Sequence, residues 1–332
     1  LGAGPVVPLA TAYGRVMFAA TLVVFFAHVS MALLRAEGDV KRAMMAMLLG
    51  AGLNIILDPL FIYGLRMGVA GAAWATVISM SVTALLLCRW ICFHKDMWIT
   101  VTLKKFRFRR NALKDIFTVG FPSAIQHMAM SLSMLILNMV AVIAGGTDGV
   151  AVFSTGWRVA TFATLPLLGI ATAVTSVTGA AYGGKDYSRL DNAFQYAVRL
   201  GFSIEIVVAA MTFLAADFIA GWFTFSASSA RLRPDLVVFL RTMCVFYPST
   251  AFGMLSSAMF QGIGRGMNAL AVTVIRTLML TVPMAWLLAI RLGLGLTGLW
   301  WGVVIGNITG AAIAWTWARH SIRTLSSLSP PG

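Results

Sequence analysis

The residues of this chain best placed to do chemistry lie in one stretch, AGLNIILDPLFIYGLRMGVAGAAWATVIS, running from Ala51 to Ser79. Asp58 stands inside an apolar run, with Asn54 four residues before it and Pro59 directly after. Side chains four apart share a helix face, so the amide and the carboxylate are presented together. Pro59 has no N–H for the carbonyl of Ile55 and crowds it, which predicts a kink and a free acceptor beside the acid. A glycine-rich turn (Gly64, Gly68, Gly71) then reverses the chain into a second apolar segment carrying Thr76. A carboxylate, an amide, a hydroxyl and a freed carbonyl inside apolar helices form the donor set of a proton or small-cation site. The competing reading of the acid is a helix-end group lying near the headgroups.

Other polar groups interrupt the apolar sequence, and a charge at the bilayer centre costs about 2.5–3.5 kcal/mol on the insertion scale, so each needs a reason. Gln126 and Asn138 are candidates for lining a substrate cavity, and equally for hydrogen-bonding one helix to another. His127 reads as an interior histidine or a proton relay. Met128, Met130, Met134 and Met139 give one helix a flexible, polarizable surface suited to promiscuous binding, with Met130 the cavity candidate; lipid contact or packing is the plainer reading. Arg158 lies mid-segment, either facing a cavity or pairing within the protein. Glu205 follows Arg199 by six residues and fits a coupling role or a place near the cytoplasmic interface. Arg276 is expected to snorkel or pair, and Trp300 and Trp301 to join an interfacial aromatic belt.

Membrane-spanning helices must position these groups. Hydrophobic residues make up 59% of the 332 and charged residues 11%, with mean hydropathy +0.87. A soluble domain carries about 25% charged residues, so the composition describes an all-α polytopic membrane protein. The net charge of +14 sits in short basic clusters between apolar runs. That is the pattern of topology signals and excludes a nucleic-acid-binding stripe. Nine apolar segments can be marked, at about 9–34, 41–64, 69–93, 113–144, 149–181, 190–223, 234–262, 267–290 and 296–319. Placing the loops near 35–42, 89–114, 185–199 and 265 on one side with the tail gathers 17 of the 25 Lys and Arg there. The positive-inside rule then puts the C-terminus in the cytoplasm of a cell (inner) membrane protein and the start of the chain outside. Cys88, Cys92 and Cys244 fall in apolar segments and indicate neither a disulfide framework nor a metal site.

The sequence also repeats itself. LLRAEGDVKRAMM resembles MFQGIGRGMNALA, with Gly38 opposite Gly264, and GVAGAAWATVIS resembles GLTGLWWGVVIG, with Gly68 opposite Gly295. Pro59 pairs loosely with Pro283, so the offsets are 226, 227 and 224. Parallel duplication is a known transporter construction. The period matches 1–95 to the region from about 230 to 320 and leaves the helices at 113–223 with no upstream partner. Three further helices, roughly 115 residues by the same repeat logic, are therefore expected before residue 1. The domain expectation is 1–95 as the rest of an N-terminal lobe, 96–112 as a basic cytoplasmic linker, 113–320 as a C-terminal lobe and 321–332 as a cytoplasmic tail.

On LLRAEGDVKRAM, LNIILDPLFIYGLRMGVAGAAWATVIS, GFPSAIQ and AAYGGKDYSRL, the chain resembles the multidrug and toxic compound extrusion (MATE) transporters over essentially its whole length. The resemblance implies a two-lobe MATE/MOP-type helix bundle of twelve helices, of which this chain carries helices 4 to 12. It also implies export of amphipathic or cationic drugs and toxic metabolites, by a monomer, against inward proton or sodium movement. In the DinF-like branch an N-terminal-lobe ion site uses an Asn and an Asp four apart on helix 5 and a Thr on helix 6. Asn54, Asp58 and Thr76 match these positions, so Na+ or a proton would sit at Asp58. The helix-1 Asp of that branch has no counterpart here, nor does a helix-4 Asn, the local sequence being HVSMALLR. The acids of the NorM-like branch are also missing: Met130 and Thr250 fall near their positions.

Secondary active antiport by alternating access is the leading expectation, with no cofactor beyond the coupling ion and with small molecules and the lipid bilayer as partners. The alternative is a lipid-linked oligosaccharide or lipid flippase of the same superfamily, which would line its cavity with several basic residues. Only Arg158 and Arg276 are available for that. An enzyme is not expected, since the chain shows no paired acids, histidine cluster or nucleophile motif.

Overall fold

The computed structural model describes residues 7–93, 109–225 and 229–327, which form helices and short connections with no strand among them. Eight helices among the described residues are long and apolar enough to cross a membrane, and a bent pair adds a ninth. The chain divides into two compact units, Leu1–Phe108 and Arg109–Gly332. The division falls within the basic stretch 94–114, of which residues 94–108 lie outside the described residues.

In the first unit α1 (Val7–Ala19) and α2 (Thr21–Ala36) meet at a 57° bend. α3 (Val40–Pro59) starts at Asp39, whose carboxylate accepts from the Arg42 N–H at 3.0 Å and so satisfies a first-turn donor. Pro59 keeps helical angles (φ −61°, ψ −37°), and the Leu60 N–H bonds the Leu57 carbonyl. The helix then continues into a π turn, Leu60–Gly64, closed by Leu65 N–H to Leu60 O at 2.8 Å. α4 (Gly68–Phe93) then returns antiparallel to α3. The core is small, built on Ala27, Met31, Leu34, Ala43, Ala46, Ala84, Leu87 and Ile91, while Ile55 and Ile56 stay on the outside. Outward apolar side chains are what a bilayer solvent accepts.

The second unit opens with α5 (Arg110–Ala163), a 54-residue helix broken by non-helical angles at Gly145 (φ −150°, ψ 15°) and Gly146 (φ 61°, ψ −149°). Only glycine takes the second of these without strain. The stretch 147–163 runs on past Thr164 into α6 (Leu165–Gly183). A Cβ on Gly156 would collide with Phe239, and one on Gly179 would lie 2.9 Å from the Gly262 carbonyl oxygen. Both pairs are separated by the same number of residues, so 147–183 travels alongside α9 (Arg233–Gly262) as one span. α7 (Tyr187–Leu214) begins at Asp186, which caps the Arg189 N–H at 2.9 Å, and is followed by the short α8 (Ala216–Phe223). α10 (Gly266–Val274) leads through a π segment, Ile275–Thr281, into α11 (Val282–Trp286) and a second π turn, Leu287–Arg291. α12 (Gly295–Ser327) closes the unit.

The contact of α12 with α10–α11 is made by glycines four apart. Side chains at Gly298, Gly302, Gly306 and Gly310 would run into Leu288, Ala285, Thr281 and Arg276 in turn. Small residues at helical spacing let backbones approach where lipid offers no hydrophobic drive between helices. The opposite side of α12 places Trp300 against Phe153 (ring centroids 5.8 Å, nearly parallel) and Phe239 (4.8 Å, edge-on). Trp300 is 1% exposed and belongs to the core, which corrects its assignment to the interfacial belt; Trp301, one residue on, is exposed. Adjacent helical residues point about a quarter-turn or more apart, so one aromatic of a pair can be inside and its neighbour outside.

Backbone geometry repeats between the units. Gly38 and Gly264 share positive φ (88° and 76°), as do Gly68 and Gly295 (56° and 58°) and Arg66 and Gly293 (53° and 68°). The π turns Leu60–Gly64 and Leu287–Arg291 end on the same bonds, Met67 N–H to Phe61 O at 3.1 Å and Leu294 N–H to Leu288 O at 3.3 Å. This register corrects the pairing of Pro59 with Pro283: Asp58 corresponds to Ala285, and Pro59 to Trp286. Gly302→Ala tests the close approach of α12. Its Cβ would meet the Ala285 backbone, which cannot step aside. We expect a loss of about 1–3 kcal/mol from overpacking, read as a lower unfolding temperature in detergent.

Candidate functional site

Two contacts fix α4 against α3. A Cβ on Gly50 would lie 2.7 Å from Thr83 Oγ1, and one on Gly71 would lie 2.7 Å from the Phe61 carbonyl oxygen. Between these clamps the facing residues of α4 include Ala72, Ala75 and Thr76, small enough to bring the backbones together. Asn54 Nδ2 consequently donates both to Asp58 Oδ1 (3.3 Å) and to Thr76 Oγ1 (3.4 Å). Thr76 Oγ1 gives its own proton to the Ala72 carbonyl at 3.0 Å, so it faces Asn54 as an acceptor. All three side chains are half-buried. No Lys or Arg pairs with Asp58 among the described residues. The group therefore presents an uncompensated carboxylate, the Asn54 carbonyl oxygen and a hydroxyl, all hard oxygen donors. That set can bind a proton on the acid or a small cation among the oxygens.

The remaining candidates belong to the second unit. Gln126 is buried in a joint between three helices: its Nε2 donates to Ser257 Oγ (2.8 Å) and Thr273 Oγ1 (2.6 Å), and its Oε1 accepts from Gln261 Nε2 (3.0 Å). Its amide is used in hydrogen bonds inside the unit. Asn138 donates to the Met134 carbonyl of its own helix at 2.9 Å. Met130 and His127 are on the exposed side of α5. Arg158 is exposed and makes no hydrogen bond or ion pair among the described residues. Arg276 does not snorkel: it is buried over Gly253 and Gly310, with Nη1 donating to Asn307 Oδ1 at 3.3 Å. Asn307 in turn donates to Ser249 Oγ (2.7 Å) and Thr250 Oγ1 (3.3 Å). Sequence reading passed over Asn307 because a lone amide in a glycine-rich helix carries no periodic signal. Of the two readings for Glu205, a coupling role or a place near the cytoplasmic interface, the second is at odds with its complete burial.

Comparison with known proteins agrees with this architecture. The MatE family pattern matches residues 2–60 and 122–287. The multidrug export protein MepA of Staphylococcus saprophyticus is 27% identical over 317 residues, covering 95% of this chain and 68% of the relative. MepA of Staphylococcus aureus strain MRSA252 is 25% identical over 308 residues, covering 92% and 66%. The chain thus spans about two thirds of the length of the curated relatives it matches. Two solved structures, a MATE in complex with MaL6 and an outward-facing multidrug resistance MATE family transporter of the MOP superfamily, each superpose with TM-score 0.93 at 46% identity. Each match covers 95% of this chain and 70% of the other. A MOP superfamily transporter from Pyrococcus furiosus Vc1 (DSM3638) matches equally well, at TM-score 0.93 and 46% identity over 95% and 70%. Fold and family together define a multi-pass membrane protein of the transporter class, not an enzyme. The chain belongs to the MATE (MatE) family.

Gln126→Leu separates the joint from a substrate-lining role. It would strand Ser257, Thr273 and Gln261 in a buried place, at a cost of about 1–3 kcal/mol, seen as earlier thermal unfolding in detergent. Met130→Leu, on the exposed side, should leave that unfolding temperature unchanged.

Proposed function

We propose that the protein exports amphipathic and cationic small molecules across a cell membrane, driven by inward movement of a proton or sodium ion through Asn54, Asp58 and Thr76. The observation carrying this reading is the convergence of the three side chains from α3 and α4 at 3.3 and 3.4 Å, around an acid with no basic partner. An acid that faces water in one state of an alternating-access cycle and a drier environment in another binds its ion in one state and releases it in the other. The relatives named for multidrug export support small molecules as the cargo. The distribution of Lys and Arg supports a cytoplasmic C-terminus, and the protein is taken to work as a monomer.

A flippase reading finds less support. Arg276 is held inside the second unit by Asn307, leaving Arg158 as the one membrane-embedded arginine open to an anionic headgroup among the described residues. The Pyrococcus furiosus transporter is described as having a binding pocket of reverse polarity that suggests a different function. For the present chain, an exposed Arg158 extends the reading to cargo with an anionic as well as a cationic group.

The test is efflux of a fluorescent cation from proteoliposomes under a proton gradient alone and a sodium gradient alone, for the wild type and Asp58→Asn. Asp58→Asn should reduce gradient-driven efflux to the leak seen without a gradient, while the fluorophore still binds. Efflux at the wild-type rate in Asp58→Asn, under both gradients, would sink the assignment.

A further inference from the structure

One ionisable group in the second unit has no role in the reading above. Glu205 lies on α7 with 0% of its surface exposed, and neither carboxyl oxygen has a hydrogen-bond partner. α7 is drawn onto its neighbours one turn earlier, where a Cβ on Gly201 would lie 2.8 Å from Leu167 and 3.2 Å from Leu255. Glu205 is therefore sealed in the seam between α7 and α9. Tyr247 of α9 is also fully buried, its hydroxyl has no partner, and it interacts electrostatically with both Glu205 and Cys244. The next residue, Pro248, cannot donate to the Cys244 carbonyl, so the backbone beside Tyr247 carries an acceptor without its helical donor.

α6 carries no acidic or basic residue. From α9, Arg241 is exposed and paired with Asp217 of α8 at 2.8 Å. From α12, Arg319 pairs with Asp191 of α7 at 2.7 Å, far along the helix, and His320 beside it is exposed. Arg158 of α5 is exposed, as are Arg189, Tyr196 and Arg199 of α7 itself. Arg276, buried in the same unit, packs directly on Gly253 of α9 and bonds through Asn307 to Ser249 and Thr250. Among the described residues no cation pairs with Glu205.

We propose that Glu205 is a second proton-carrying group of this transporter, housed in the second unit and separate from the Asn54–Asp58–Thr76 site. An unpartnered buried carboxylate is very costly, whereas the neutral acid is tolerated, so burial at this position favours the proton-bound form. Release breaks the carboxyl O–H bond and passes the proton to water admitted when the α7–α9 seam loosens. The Tyr247 hydroxyl then turns to donate to the carboxylate left behind. The inference relies on the transport reading only for its place in a cycle; the proton itself can be observed without transport.

The experiment is an infrared difference titration of the full protein in lipid, with and without deuterium exchange. We expect the wild type to show the C=O stretch of a non-hydrogen-bonded carboxylic acid that bleaches as pH rises. Glu205→Gln should lose that band, Asp58→Asn should keep it, and Tyr247→Phe should displace the pH at which it bleaches. Glu205→Gln should also lower the number of protons moved per substrate in proteoliposomes, with Glu205→Asp restoring it. A band that survives in Glu205→Gln, or a wild type without such a band at any pH, overturns the proposal, as does an unchanged proton-to-substrate ratio in Glu205→Gln. None of these outcomes bears on Asp58, whose failure would appear as gradient-driven efflux persisting in Asp58→Asn.

Discussion

Close backbone approach at small residues is the constraint on which the rest of this structure depends. Lipid is as apolar as leucine, so helices gain little by hiding hydrophobic side chains from it, and contact must come from fit. In the second unit Gly298, Gly302, Gly306 and Gly310 supply that fit to α12, and Gly156, Gly179 and Gly201 supply it around α9 and α7. In the first unit Gly50 and Gly71 do the same for α3 and α4. The Asn54–Thr76 distance of 3.4 Å follows from those two clamps. A larger residue at either would separate the helices and leave the acid without its neighbours.

Burial decides what each polar side chain can do. Gln126 uses both its N–H donors and its carbonyl oxygen joining α5, α9 and α10, and Asn307 joins Arg276 to α9. Such satisfied groups specify which helices pack together. Asp58 and Glu205 differ from them. Asp58 is half-buried with a single long hydrogen bond, and Glu205 is fully buried with none. Incomplete satisfaction sets these two acids apart from the amides of Gln126 and Asn307.

The duplication explains why the two units are chemically unequal despite shared backbone turns. The counterpart of Asp58 is Ala285, whose backbone lies directly against Gly302, so that position has no room for a carboxylate or a bound ion. In the first unit the residue matching Gly302 is Ala75, and the packing there is looser. The same π turn and the same positive-φ positions thus frame the Asn54–Asp58–Thr76 group in one unit and a close-packed joint in the other.

Much of this was legible in the sequence. The apolar runs marked the spans, because a bilayer demands about 20 apolar residues per crossing. Glycine positions exposed the repeat, because positive-φ turns leave few residue choices; the proline pairing did not hold. The four-residue spacing of Asn54 and Asp58 fixed their common face on any helix. What only the tertiary structure decided concerns partners distant in sequence. Gln126 meets Ser257 and Thr273 across more than a hundred residues, Trp300 turns inward onto Phe153 and Phe239, and Glu205 is closed off by α9. The reason is physical: a sequence sets which face of a helix a side chain occupies, but in a membrane both lipid and protein accept an apolar face. Which face is buried therefore depends on neighbouring helices that local sequence does not name.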